Sequence, residues 1–264
     1  MKNLRGIYII WYRDILRFWR DRMRMLGAII MPLLFLVVFG AGLTRWMDLG
    51  DEISFSSFLF PGIVGMTVIM AAFMSGVSIV WDREFGFLKE VLIAPISRTA
   101  VAIGKTLGGA TIATIQGTLM LLLSPIIGID LSLELILKII PLIFMIACAI
   151  AAMGIVLAAR IKSMEAFQAL MNMLMMPMIF LSGVFFPLSN LPGWMNVIVK
   201  INPVTYGVDS IRKVFIESIP DIETSQLNLT IFNHTMSIID NVLVVAVFGF
   251  VMIMLSMWFL RSQN

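Results

Sequence analysis

The chain has 264 residues, of which 60% are hydrophobic and only 13% charged, with a mean hydropathy of +0.99. Soluble domains are about half apolar and about a quarter charged, so this composition excludes a water-solvated globule, and no segment between the apolar runs is long enough for a separate soluble domain. One cysteine, Cys148, excludes an intramolecular disulfide framework, and one histidine, His234, excludes a His/Cys zinc cluster. The net charge of +3 informs only through its distribution along the chain.

The first 25 residues predict a helix lying on a membrane surface. Leu4, Tyr8, Trp11, Ile15 and Phe18 recur at helical spacing, and Arg13, Arg17, Arg20 and Arg24 fall on a nearly opposite face. An apolar, aromatic face backed by arginines suits the headgroup layer of an anionic leaflet. Arginines serving topology alone would not require the stripe.

About 20 apolar residues cover the hydrocarbon core as a helix. Six runs qualify, at 26–43, 58–80, 106–127, 139–159, 166–186 and 241–260, the first of them read as a retained span rather than a signal peptide. Pro32, Pro61, Pro125, Pro141 and Pro177 lie inside them, which helix packing tolerates. Six spans place both termini on one side. Putting that side in the cytoplasm assigns it 14 of the 19 basic residues, so the positive-inside rule places both termini there. The expected fold is an all-α membrane protein, a single domain over 1–264.

Between the second and third runs the segment at 81–98 carries five charges in its first ten residues: Asp82, Arg83, Glu84, Lys89 and Glu90. Phe85, Phe87, Leu88, Val91, Leu92 and Ile93 interleave with them until Pro95 breaks the pattern. A plain connector would not need that alternation. A short amphipathic helix on the cytoplasmic side, presented to a partner, explains it.

The external segment at 187–240 is long for a connection, and its first half is apolar. Leu188, Leu191, Trp194, Val197, Ile198, Val199 and Ile201 precede Asn202-Pro203, after which Tyr206, Val208, Ile211, Val214 and Phe215 recur at helical spacing. Short helices tucked into the outer face cover these side chains better than a solvated loop. The second half is polar and reads as a surface loop, in which two Asn-x-Thr sequons start at Asn228 and Asn233, chance matches if the source is prokaryotic.

Absences narrow the chemistry. Ion-coupled transporters place ionisable groups near the bilayer midplane, whereas here Lys105, Lys138, Arg160, Glu165 and Asp240 all stand at run ends, where they snorkel or face water. Only neutral polar residues such as Gln116 and Asn172 lie further inside. Gly104-Lys105-Thr106 lacks the glycine of a nucleotide-binding loop, since Thr99 occupies that position. The methionine run from Met171 to Met178 suits packing or an adaptable surface better than Cu(I). Gly104 and Gly108 have the spacing of a close helix approach. Trp46, Trp81, Trp194 and Trp258 fit interfacial belts.

The run PGIVGMTVIM from Pro61, WDREFGFLKEVLIAPISR over 81–98, Gly104-Lys105, and GVFFPLSNLPGWMNVIVKINPVTYGVDSIRK over 183–213 together resemble the ABC-2 type permeases of ATP-binding-cassette exporters. The drug-resistance and polysaccharide or nodulation-factor permeases are the most similar in character. The resemblance implies two permease subunits, as a homodimer or paired with a relative, on separate ATPase subunits that bind ATP and magnesium. No cofactor and no catalytic residue is expected in this chain. The resemblance implies a coupling helix around Asp82, Arg83, Glu84, Phe85, Gly86, Lys89 and Glu90, with the N-terminal helix as the connecting helix. It implies external re-entrant helices carrying Pro187, Pro192, Trp194, Asn202, Pro203 and Tyr206. The expected setting is a prokaryotic inner or plasma membrane, and the expected cargo is hydrophobic or amphipathic. An ion-coupled secondary transporter and a non-transporting scaffold or sensor are the competing classes.

Overall fold

Serine side chains set the starts of several helices in the computed structural model, which describes residues 2–43, 55–84, 96–127, 131–188, 191–217, 230–231 and 234–261. Each serine oxygen accepts a bond from an N–H that the helix itself leaves unpaired. Ser97 caps α5 (Arg98–Leu121), Ser132 caps α6 (Leu133–Arg160) and Ser163 caps α7 (Met164–Phe180). Ser237 and Asp240 bond reciprocally at the start of α10 (Ile238–Arg261), a capping box with aspartate in the third position. The other helices are α1 (Lys2–Arg20), α2 (Arg22–Leu43), α3 (Phe55–Phe73), α4 (Ser75–Glu84), α8 (Gly193–Ile201) and α9 (Pro203–Ile216). A 3-10 turn covers Ser124–Ile127, and a two-residue β-ladder pairs Thr230–Ile231 with His234–Thr235.

Contacts fix the direction of each helix. Arg98 at the start of α5 donates to the Arg261 carbonyl at the end of α10, and Arg83 in α4 donates to carbonyls at the end of α6. At the other end, Phe35 and Phe39 of α2 pack against Phe185, and Asn202 donates to the Met178 carbonyl in the last turn of α7. The helices α2, α3–α4, α5, α6, α7 and α10 thus run alternately between an end carrying α1 and Glu84 and an end carrying α8 and α9.

Among the described residues, three helices are long and apolar enough to cross a membrane: Ser57–Glu84, Leu133–Arg160 and Ile238–Arg261. A bent pair of 69°, α1 with α2, raises the number to four. The expected runs at 106–127 and 166–186 look different here. Helix α5 starts earlier and ends at Leu121, and its Gly, Thr, Lys105 and Gln116 make it too polar for that test. Helix α7 ends at Phe180, where a turn leads to Gly183 at φ 81°, a left-handed conformation that suits glycine. Both are still enclosed or half-enclosed by apolar neighbours. The protein is a multi-pass, all-helical membrane chain apart from the short ladder.

The core lies between α3, α5, α6 and α9, with Phe60, Ile63, Val68, Ile143, Ile146, Val208 and Ile211 all buried. Large apolar side chains also point outward, among them Leu34 and Val38 on α2 and Leu243, Val247 and Phe250 on α10. A soluble protein would bury such stripes; a bilayer solvates them.

Candidate coupling site

The charged end of the bundle is built around Asp82, in the last turn and a half of α4. Only 6% exposed, Asp82 accepts from Lys105 Nζ at 2.8 Å and from Arg13 at 3.0 Å. Lys105, 2% exposed, also donates to Ser78 Oγ at 2.8 Å and stands 3.6 Å from Asp14. Two cations and two carboxylates therefore form one cluster joining α1, α4 and α5. Charge-assisted bonds of this length are strong, and a buried charge without them would be costly. Lys105 does not snorkel to water, as its place at a run end suggested. The α4 carboxylate reaches it first.

Glycine makes the cluster geometrically possible. A Cβ at Gly104 would lie 3.0 Å from Ile10 Cβ, and one at Gly108 would lie 3.2 Å from Asp14 Cβ. The Gly104/Gly108 spacing thus serves the approach of α1 along α5, bringing Asp14 within reach of Lys105. Trp11 adds a bond from its indole N–H to Thr111 at 3.0 Å. The face of α1 turned to the protein carries Gly6, Ile10 and Phe18, all buried, while Leu4 and Tyr8 are 73% and 58% exposed.

The expected coupling residues divide. Asp82 turns inward as described. Arg83 donates to the Ala159 and Ile161 carbonyls at 2.9 and 2.7 Å, where α6 ends and its carbonyls lack helical partners. Glu84, the next residue, is exposed. Phe85, Gly86, Lys89 and Glu90 lie outside the described residues. On α1, Arg13 joins the cluster, Arg17 stacks over the Trp81 ring at 4.5 Å, and Arg20 is exposed in its last turn. Arg24 falls beyond the break at Asp21, in α2. Asp14 and Ser78 were not singled out from sequence, and Lys105 was read as a run-end residue and part of the family pattern, not as a member of this cluster. The available signal was Asp14, an acid amid the arginines of α1.

At the opposite end, Asn202 joins α8 to α9. Its amide donates to the Met178 carbonyl at 2.6 Å and its oxygen accepts from Val204 N, while Pro203 occupies the first helical position. Pro187 is non-helical, Pro192 precedes α8, and Trp194 in the first turn is 65% exposed. Tyr206 donates to the Lys200 carbonyl, and burial pushes its phenol above the usual range. Asp209, Arg212 and Asn241 are fully buried nearby. Asp209 pairs with Lys213 at 2.6 Å and accepts from Asn241, and Arg212 bonds the Gly183 carbonyl and lies 4.2 Å from the Phe58 ring centre.

The family model for the ABC-2 type transporter matches residues 5–216. The chain belongs to that family. A transport permease, ycf38, of Cyanophora paradoxa is 25% identical over 263 residues, covering 98% of this chain and 90% of the relative. Nodulation protein J of Rhizobium leguminosarum bv. viciae is 27% identical over 206 residues, covering 77% and 79%. The multidrug ABC transporter permease YbhR of Escherichia coli K12 is 24% identical over 173 residues, covering 63% of this chain and 45% of that protein. The ABC-2 chain is the membrane subunit of a transporter, and its permease-type relatives fit a non-catalytic role.

Proposed function

We propose that this ABC-2 permease exports a hydrophobic or amphipathic compound, driven by separate ATPase subunits that bind ATP and magnesium. In this reading the six passes are six spans, both termini are cytoplasmic, and two permease subunits pair around the path. The short helices α8 and α9 are re-entrant elements on the outer face. The membrane is the inner or plasma membrane of a prokaryote.

One observation carries the coupling role. Glu84 is exposed directly after two residues that are each anchored, Asp82 to α1 and α5 and Arg83 to the end of α6. A push on Glu84 therefore reaches three helices without passing through a soft joint. An ATPase that binds one conformation better than another shifts the permease by that difference in affinity. The multidrug ABC transporter permease among the relatives supports a drug-like cargo in this reading.

The test is Glu84→Arg in the complex with its ATPase. Substrate-stimulated ATP hydrolysis should be lost while the permease still inserts and accumulates in the membrane. Unchanged stimulation would remove Glu84 from the contact.

A further inference from the structure

Gln116 is 5% exposed on α5, and none of the hydrogen bonds given among the described residues involves its amide. It lines a cavity of about 300 Å³ between α2, α3 and α5. The wall there includes four methionines, Met31, Met66, Met70 and Met74, together with Thr67. Thr67 already donates to the Ile63 carbonyl at 2.8 Å. No ionisable side chain is among the described lining residues.

Each feature selects a ligand property. The lack of charge in the wall disfavours an ionised guest, whose desolvation would go uncompensated. Thioethers are polarisable and flexible, and they make favourable contacts with aromatic rings. A cavity of about 150 Å³ takes benzene, so twice that volume takes about two rings. Water is a poor occupant, because it needs two to four polar partners and finds little beyond one amide. We propose that this chamber binds an uncharged aromatic compound of about two rings, which exchanges a hydrogen bond with the Gln116 amide. The assignment deepens the hydrophobic-cargo reading above and rests on it.

The chamber also has a neighbour. Met74, at the break between α3 and α4, borders both it and a smaller cavity of about 150 Å³ with Asp14, Arg17, Ser78 and Trp81 in its wall. The flexible Met74 side chain thus borders both the apolar chamber and the cavity at the charged end.

The test uses the full chain in lipid nanodiscs, with Cys148→Ser removing the native thiol and Ala71→Cys placing a reporter in the wall. N-ethylmaleimide labelling is followed with 2-naphthol or naphthalene as the probe. Both should slow labelling. Gln116→Leu should raise the 2-naphthol concentration for half-protection about tenfold, the loss of one net hydrogen bond, and leave naphthalene unchanged. Gly27→Leu, where a Cβ meets nothing within 4 Å, should fill the chamber and abolish protection by both. Absence of protection, or a Gln116→Leu effect equal for the two probes, overturns the site. In the complex with the ATPase, stimulation by 2-naphthol without protection leaves the cargo reading standing and removes this site. Gln116-dependent protection without stimulation supports the site and removes the cargo reading.

Discussion

Asp82 and Asp209 are buried carboxylates at opposite ends of the same bundle, and they are satisfied in different ways. Asp82 is held between helices: Lys105 comes from α5 and Arg13 from α1, so the charges themselves join three elements. Asp209 takes Lys213 from its own helix, four residues on, and only the neutral amide of Asn241 from α10. Its neighbour Arg212 is tied to a backbone carbonyl and an aromatic face. The first end uses long-range ion pairs, which are lost together if one helix moves. The second uses local pairs and backbone anchors, which move with α9 as a unit. An end that must transmit displacement between helices is better served by the first arrangement.

The largest effect should come from Asp82→Ala. It leaves buried Lys105 with Ser78 and, as its counter-charge, the more distant Asp14, and breaking a buried pair costs about 3–5 kcal/mol. Thermal unfolding in detergent should show that loss, and Asp82→Leu combined with Lys105→Leu should recover most of it. A double variant as unstable as the single one would mean that Asp82 acts through packing rather than pairing. Next, Arg212→Met should cost about 2 kcal/mol by freeing the Gly183 carbonyl and removing the contact with Phe58. Because those anchors are local, the α1–α5 contact should persist, read as unchanged crosslinking between cysteines introduced at Ile7→Cys and Val101→Cys. Ser97→Ala should cost about 1 kcal/mol through the lost cap of α5. Last, Glu134→Gln should leave the unfolding midpoint where it is, since its partner Lys138 is 51% exposed and the pair is solvated. A measurable drop there would weaken the case that burial, rather than pairing as such, sets these energies.

Much of this was legible because it depends on composition and period. The apolar runs, the amphipathic N-terminal helix and the Asn202-Pro203 junction follow from side-chain hydrophobicity, helical spacing and the missing N–H of proline. The Gly104/Gly108 spacing announced a close approach without naming its partner. Illegible were the depth of Lys105, which appeared to stand at a run end, and the burial of Asp209 and Arg212, which appeared to belong to an external segment. A run of letters gives a residue's position along the helix axis. Whether another helix brings a polar partner to that depth depends on contacts across 23 residues for Lys105–Asp82 and across 32 for Asn241–Asp209.

The sequence by itself determined that this chain lives in lipid, that it concentrates charge at one junction between apolar runs, and that it resembles a permease. Those properties are sums over residues or short periodic patterns, and each can be read without knowing what lies across the bundle. Only the tertiary structure decided that Asp82 and Arg83 turn inward while Glu84 faces out, and that Gln116 looks into a methionine-lined chamber. Direction and enclosure are properties of neighbours distant in sequence, set when the helices pack.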